Sequence, residues 1–302
     1  MKTRPTMVFA AVVLAVAMVS GCTQQPVTGQ AVYSVAGGVS YTDRPDPVYT
    51  SEFFNETSHA TIQKVVYKSR LAAIYGLLAI PKDGNNHPAF VLLPAQSITK
   101  EVEQMWLGNK LNEMGFATLA LDQRTMGETG GYAPTMQEDF NSYINGEETA
   151  QSMMVYDALA AYDILRSLPE IDPLSIYMEG ESMGGRYAII AAAIEPNIRG
   201  LLLISTAGYG LPEGESPEAT EFLRYVDPDN YIGKVRPRKT LMIHGTQDRV
   251  IPPEPAKNTF ELANEPKKFI EVDERFHGYY NVLGNSTLPT ILEDNVMGWL
   301  VE

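Results

Sequence analysis

Three residues in the second half of the chain, Ser182, Asp248 and His277, have the types and the order that nucleophilic catalysis needs. Ser182 is the centre of the G-x-S-x-G segment formed by residues 180–184. A serine hydroxyl is a weak nucleophile, so it needs a general base to take its proton and a third group to orient that base. The three residues therefore predict cleavage of an acyl bond through an acyl-serine intermediate.

The sequence around Ser182 predicts a sharp turn between a strand and a helix. Residues 174–178 form a short apolar run, and residues 184–193 have helical spacing. A strand, a G-x-S-x-G turn and a helix in this order form a nucleophile elbow, whose close packing requires small residues on both sides of the serine. The turn also places the hydroxyl at a helix N-terminus, where backbone N–H groups face a developing negative charge.

His277 is the predicted general base. With such an elbow the triad follows the order serine, acid, histidine along the chain. Of the four histidines, only His244 and His277 follow Ser182. His244 precedes the best-placed acid and is expected to be a packed histidine beside the acid's loop. His277, just beyond the last predicted strand, is left as the base.

Asp248 is the predicted acid. Residues 241–248 indicate a strand, a turn and then a carboxylate. A carboxylate in this place would orient the imidazole and stabilise its charged form. Asp273 and Glu274 are competing acids, but they are too close in sequence to His277 to reach the far side of its ring easily.

Short apolar strands alternate with helices from about residue 62 onwards. Residues 63–68 and 72–80 are expected to pair as antiparallel strands, and residues 122–145 to form a loop. Further strands are expected at 89–93, 116–121, 174–178, 198–204, 239–243 and 268–272, and helices at 101–114, 147–168, 184–193, 255–263 and 286–300. This alternation predicts an α/β fold with a doubly wound, mostly parallel sheet and helices on both faces. Ligands bind at the carboxyl ends of such strands, where the three candidates lie.

Residues 62–302 resemble the α/β-hydrolase superfamily, and within it the cap-poor esterases and the prolyl-oligopeptidase-type and dienelactone-hydrolase-like catalytic domains. The resemblance rests on the elbow, on residues 244–248 and on residues 122–129. The last segment is similar to the family's D-x-R-G-x-G-x-S/T loop, with Thr125 in place of the usual glycine. Asp122 and Arg124 are expected to structure this loop rather than to act in catalysis. Little or no cap is expected, because only about 34 residues separate the strands near Ile204 and Lys239.

The resemblance also implies an oxyanion hole, and here the sequence departs from the family. Many relatives carry His-Gly after the first long parallel strand, where this chain has Pro94 and Ala95. The implied donors are the backbone N–H of Met183 and that of Gln96 or Ala95. Proline has no N–H, so Pro94 itself cannot donate.

The N-terminus resembles a prokaryotic lipoprotein signal. Lys2 and Arg4 precede the apolar run 7–19, and Val-Ser-Gly-Cys at 19–22 resembles a lipobox ending at Cys22, the single cysteine. This implies a signal peptide over 1–21, a lipidated N-terminus and flexible tether over 22–60, and a catalytic domain over 61–302. The expected location is the outer face of a prokaryotic cell membrane, or the outer membrane. Mass spectrometry of the N-terminal peptide tests it, since an unmodified Cys22 would refute lipidation.

The expected activity is hydrolysis of carboxylic esters by a serine esterase. One alternative is a serine peptidase that acts on short peptides, with Glu181, Arg186 or Glu128 as an anchor for a peptide terminus. The other is a binding lipoprotein on an inactive hydrolase scaffold. A net charge of −14 without a basic stripe argues against nucleic acid as a partner. No metal-binding or nucleotide-binding motif is present, so neither a metal nor an organic cofactor is expected, and the oligomeric state stays open.

Overall fold

The computed structural model describes residues 31–302 apart from 35–37, 42–43, 71, 85, 132, 211–213, 215 and 283. The strands are β1 (Ala31–Ser34), β2 (Gly38–Tyr41), β3 (Tyr49–Glu56), β4 (Ala60–Ser69), β5 (Ala72–Pro81), β6 (His87–Leu93), β7 (Ala117–Leu121), β8 (Ile171–Glu181), β9 (Gly200–Ile204), β10 (Lys239–Gly245) and β11 (Lys267–Val272). Nine of them form one sheet in the order β11-β10-β9-β8-β6-β7-β5-β4-β3, while β1 and β2 pair separately. Strands β6 to β11 are parallel, and β3, β4 and β5 add an antiparallel edge.

Helices cover both faces of this sheet. They are α1 (Lys100–Glu103), α2 (Asn109–Glu113), α3 (Met136–Ile144), α4 (Ala150–Ser167), α5 (Met183–Ile194), α6 (Pro217–Val226), α7 (Pro253–Glu261) and α8 (Leu288–Asn295). A π-helical turn over Gln104–Gly108 joins α1 to α2, and another over Val296–Leu300 extends α8. Short 3₁₀ turns lie at Pro228–Asn230, Ile232–Lys234 and Tyr279–Asn281. Within the described ranges, no helix combines the length and the apolar character that a membrane span requires.

Each face of the sheet has its own apolar core. One core contains side chains of α4, α5 and α7, and the other contains side chains of α2, α8 and the two π-helical turns. Because helices cover the parallel strands on both sides, every residue of β7 and of β9 is buried. The prediction of an α/β fold with a doubly wound, mostly parallel sheet is confirmed.

The boundary predicted between tether and catalytic domain needs correction. The sequence suggests a flexible segment up to residue 60, whereas Tyr49–Glu56 is a strand that pairs antiparallel with β4 at the edge of the sheet. Almost all its side chains are exposed, so no apolar periodicity marks it. What holds it is the backbone hydrogen-bond ladder with β4, which side-chain types do not reveal.

The segment predicted as a loop over residues 122–145 contains the helix α3. The Thr135 hydroxyl accepts the backbone N–H of Glu138, and the Glu138 carboxylate accepts the backbone N–H of Thr135, which forms a capping box. Phe140 of α3 packs against Phe222 of α6, with ring centroids 5.4 Å apart. These two helices follow β7 and β9, so they form a small cover on the carboxyl-end side of the sheet.

The loop after β7 is fixed by Asp122 and Arg124, as the sequence predicts. The Asp122 carboxylate accepts the backbone N–H groups of Lys100 and Glu128, each at 2.8 Å, and pairs with the Lys100 ammonium at 2.8 Å. Gly127 has a φ of +53°, and a Cβ there would lie 2.2 Å from Asp122 Oδ2, so only glycine fits. The Arg124 guanidinium pairs with the buried Asp157, with 2.7 Å between Nε and Oδ2.

Replacing Thr125 with glycine is expected to raise the free energy of unfolding by about 0.5–1 kcal/mol. Thr125 occupies a left-handed conformation with a φ of +75°, which a β-branched side chain tolerates poorly. Glycine removes this strain, although it also loosens the unfolded chain and so recovers only part of it. Urea unfolding measures the change. Thr125→Ala, which keeps a Cβ at the same φ, is the control, and an equal gain in that variant would contradict the explanation.

Candidate active site

Ser182 lies in a strained turn between β8 and α5. Its φ and ψ are 49° and −113°, outside the regions that a serine ordinarily adopts. A Cβ at Gly180 would lie 2.6 Å from the backbone of Gly184, and a Cβ at Gly184 would lie 1.9 Å from the carbonyl oxygen of Leu93. Both glycines of the motif are therefore required by close backbone packing, which is the local structure predicted for this segment.

The structure brings Ser182, His277 and Asp248 into one hydrogen-bonded chain. The distance is 2.9 Å between Ser182 Oγ and His277 Nε2, and 2.8 Å between His277 Nδ1 and Asp248 Oδ2. Because an ionised carboxylate only accepts, Nδ1 carries the ring proton and leaves Nε2 free to accept the proton of the serine hydroxyl. The other Asp248 oxygen accepts the backbone N–H groups of Val250 and Ile251, which fixes the carboxylate plane.

The remaining candidate acids and the second histidine lie outside this chain of hydrogen bonds. Asp273 accepts from the side chains of Thr246 and Gln247. Glu274 accepts from Ser286 and Thr287. His244 is fully buried, with Nε2 2.9 Å from the carbonyl oxygen of Ile251 and 3.6 Å from Asp248 Oδ2. Burial lowers the pKa of His244, in keeping with a neutral packed histidine beside the loop of Asp248.

The segment expected to supply the second oxyanion donor lies against the elbow. Gly184 packs on the backbone of Leu93 and Pro94, and the Gln123 side chain donates to the Pro94 carbonyl oxygen. The backbone N–H groups of Ala95 and Gln96 have no hydrogen-bond acceptor among the described residues. Met183 begins α5, where N–H groups have no partner inside the helix. None of the three N–H groups therefore has an acceptor among the described residues.

Three buried carboxyl groups lie beside the elbow, and no sequence pattern indicates that they meet. Glu179 and Glu181 point to the same face of β8, and Glu103 reaches them from α1. Within the described residues this is the set that could hold a metal ion, since one oxygen of each lies within 4.8 Å of the others. No lysine or arginine of the described part of the chain pairs with any of the three.

The charge of this carboxyl cluster, Glu103, Glu179 and Glu181, is set by burial. Burial raises the pKa of Glu181 to about 8. Burial and then the nearby Glu181 raise the pKa of Glu103 well above its usual value, and burial followed by repulsion from the other two does the same for Glu179. The cluster therefore holds protons at neutral pH.

Two cavities lie apart from Ser182. One of about 610 Å³ lies between α3 and α6. The other, of about 550 Å³, is largely apolar and lies between residues 45–50, β4 and α4. Neither is lined by Ser182, Asp248 or His277.

The residues considered as peptide anchors are engaged in internal contacts. Glu181 is fully buried. Arg186 donates to the carbonyl oxygen of Ala207 and stacks over the ring of Tyr209. Glu128 pairs with Lys64 and Lys100. Cys22, the expected lipidation site, lies outside the described residues, as does the signal peptide predicted over 1–21.

The fold and this geometry agree with the similarity of the chain to known proteins. The family described as acetyl xylan esterase (AXE1) matches residues 48–205, just over half of the 302 residues. The chain belongs to this family. The match ends directly after β9, so it includes the elbow and the segment around Ala95 but neither Asp248 nor His277.

Two individual relatives have low sequence identity to this chain. The acetyl esterase Axe7A of Xylanibacter ruminicola is 26% identical over 232 residues, which cover 66% of this chain and 51% of that protein. The uncharacterized protein YfhR of Escherichia coli O157:H7 is 29% identical over 133 residues, 42% of this chain and 47% of that protein. The chain thus spans about half the length of the curated relatives it matches.

A solved structure shows the same fold. Acetyl xylan esterase 1 from Thermoanaerobacterium sp. JW/SL YS485 superposes with a TM-score of 0.66 at 19% identity, covering 85% of this chain and 88% of that one. The family match and the shared fold together confirm the resemblance to the α/β-hydrolases.

Proposed function

We propose that the chain hydrolyses carboxylic esters through an acyl-serine intermediate, with Ser182 as nucleophile, His277 as general base and Asp248 as the acid that orients it. The observation that carries this proposal is the continuous chain from Ser182 Oγ through both ring nitrogens of His277 to Asp248. A serine with these two partners, at a strained turn and a helix N-terminus, has the arrangement that activates a hydroxyl for acyl transfer.

The reaction follows from the positions of these groups. Ser182 Oγ attacks the ester carbonyl carbon while His277 Nε2 takes its proton, and the carbonyl oxygen becomes an oxyanion. Backbone N–H groups of Met183 and of Gln96 or Ala95 stabilise that oxyanion. When the C–O bond to the alcohol breaks, His277 returns the proton to the leaving oxygen. Water then attacks the acyl-serine and loses a proton to His277, which passes this proton to Ser182 Oγ as the bond between Oγ and the acyl carbon breaks and the acid leaves.

Short acyl esters of carbohydrates are the proposed substrates. The support is family membership, because the family is described as acetyl xylan esterase. Two proteins that are similar to this chain are also named acetyl esterase or acetyl xylan esterase. Ser182 and His277 expose only 9% and 7% of their surface, which favours a small acyl group at the nucleophile. The internal contacts of Glu181, Arg186 and Glu128 give the peptidase alternative no free anchor. We further propose that Cys22 attaches the enzyme to a membrane through a lipid.

A fluorophosphonate probe tests the proposed function. The purified protein should react with the probe in proportion to enzyme, and Ser182→Ala and His277→Ala should lose the labelling while unfolding normally in urea. The wild type should release acetate from p-nitrophenyl acetate and from acetylated xylan faster than it cleaves aminoacyl p-nitroanilides. A folded wild type that neither labels nor hydrolyses acetate esters would leave the binding-scaffold alternative in its place.

A further inference from the structure

The side chain of Glu181 connects the nucleophile's strand to the loop that carries His277. Glu181 directly precedes Ser182 at the end of β8, and its Oε1 accepts the backbone N–H of Tyr279 at 2.5 Å. Gly278 has a φ of +94°, and a Cβ there would lie 2.4 Å from Glu181 Oε2. The carboxyl group therefore packs directly on the backbone one residue beyond the proposed base.

The hydrogen bond from Tyr279 to Glu181 is one of three that consecutive backbone N–H groups of this loop donate. The backbone N–H of His277 donates to Asn281 Oδ1 at 3.0 Å, and that of Gly278 donates to Ser205 Oγ at 3.1 Å. Asn281 belongs to the same loop, so it gives no link to the nucleophile. Among the described residues, the other two of these bonds go to Ser205, directly after β9, and to Glu181, and of these two acceptors only Glu181 is bonded covalently to Ser182.

Glu181 is suited to this contact as a neutral carboxyl group. It has no cation among the described residues, and one oxygen accepts from Tyr279 while Oε2 lacks a hydrogen-bond donor. A protonated carboxyl has one accepting oxygen and one O–H. The accepting oxygen faces the loop, and Oε2 is buried without a hydrogen-bond partner among the described residues. Burial holds Glu181 in this form at neutral pH by raising its pKa to about 8.

We propose that Glu181 is a positioning residue for catalysis, and that its hydrogen bond to Tyr279 sets the distance between His277 Nε2 and Ser182 Oγ. The inference rests on the proposed function, because it concerns the same serine and histidine. Reactive groups must be held within a few tenths of an ångström, so releasing the loop costs rate even when the fold survives. The loss of rate affects the chemical step and leaves the binding of the ester unchanged.

Two pairs of matched variants separate this role from a purely structural one. Glu181→Gln keeps an accepting oxygen and a donor of the same shape, whereas Glu181→Leu keeps only the volume. Glu179→Leu makes the same change two residues earlier, in the same carboxyl cluster but without contact to the loop. Tyr279→Pro and Tyr279→Ala both lose the side chain, but only proline also removes the N–H, at the first position of a 3₁₀ turn where proline is tolerated.

The readouts are the rate constant and the final extent of fluorophosphonate labelling, with kcat and KM for p-nitrophenyl acetate. Glu181→Leu is expected to label to completion at least tenfold more slowly, with kcat lowered to match and KM within twofold. Glu181→Gln and Glu179→Leu should keep the rate constant within threefold. Tyr279→Pro should be at least tenfold slower than Tyr279→Ala, which keeps the inference testable if Glu181→Leu does not fold.

Other results would overturn the inference. A reduced extent of labelling with an unchanged rate constant in Glu181→Leu would show a structural role only. Equal rate constants for Tyr279→Pro and Tyr279→Ala would show that the hydrogen bond does not matter. Failure of the proposed function is distinguishable, because then the wild type would not label or Ser182→Ala would label as well.

Discussion

Asp248→Asn is expected to lower kcat for acetyl esters by about 10⁴-fold while the protein keeps its fold. The carbonyl oxygen of the new amide can still accept the N–H groups of Val250 and Ile251, which Asp248 accepts through Oδ1. The amide NH₂ group then faces His277 Nδ1, which must become an acceptor. The ring proton moves to Nε2, and this tautomer cannot take the proton of Ser182.

Asp273→Asn is the matched control for that variant. Asp273 is the competing acid near His277 in sequence, and its contacts are with Thr246 and Gln247. Its kcat should stay within threefold of the wild type, measured by initial rates with p-nitrophenyl acetate. If the two substitutions reduced kcat equally, or if Asp248→Asn kept a tenth of the activity, the assignment of the acid would be wrong.

The parts of the structure that can be predicted from the sequence are those where the local residue types match the burial that the fold gives them. Strands β6, β7, β9 and β10 each contain a mostly apolar run because both faces of the sheet are covered, and a run of this kind is visible in one sequence. The turn around Ser182 is recognisable because its glycines are dictated by backbone contacts. The order of serine, acid and histidine then selects Asp248 and His277, and the structure brings these two together with Ser182.

The missed elements lack an apolar pattern that would mark them. The edge strand Tyr49–Glu56 is held by its ladder with β4 and has exposed side chains on both faces. Helix α3 does carry a readable local signal in Thr135 and Glu138, the capping box at its start. Both elements lie outside the apolar centre of the sheet. Hydrophobic periodicity is weak in such outer elements.

The carboxyl cluster could not be predicted because sequence rules place glutamate at the surface. Glu103 and Glu179 are 76 positions apart, and only the folded chain brings their carboxyl groups together. Their burial depends on a change of protonation, which composition does not show. Glu181, inside the predicted elbow, is a candidate peptide anchor by sequence, whereas its side chain points to the interior.

Replacing Glu179 with leucine is expected to stabilise the protein at alkaline pH, by an amount that grows as the pH rises. Glu179 is fully buried, and burial followed by repulsion from Glu103 and Glu181 raises its pKa well above the ordinary 4.5. A carboxyl group whose pKa is higher in the folded protein than in the unfolded chain contributes its full stabilisation at pH values below the pKa that it has in the unfolded chain. It loses that stability as the pH rises towards the folded pKa, because the unfolded chain releases its proton first.

The size of the expected change in unfolding free energy follows from the release of one proton, that of Glu179. Between the unfolded and the folded pKa of Glu179, the unfolding free energy of the wild type should fall relative to Glu179→Leu by about 1.4 kcal/mol per pH unit. Leucine has nearly the same volume and no group to ionise. Apolar replacement of buried charged groups is known to be neutral or stabilising, so the variant should fold. Urea unfolding at several pH values measures both curves.

Glu271→Leu is the control, because Glu271 is an exposed strand residue paired with Lys257. Its effect on the unfolding free energy should be small and the same at pH 5 and pH 8. If the curves of the wild type and Glu179→Leu ran parallel, Glu179 would be ionised in the folded protein, and the charge of the cluster would then have to be balanced by a bound cation. Diverging curves instead mean that Glu179 keeps its proton in the folded protein to a higher pH than in the unfolded chain.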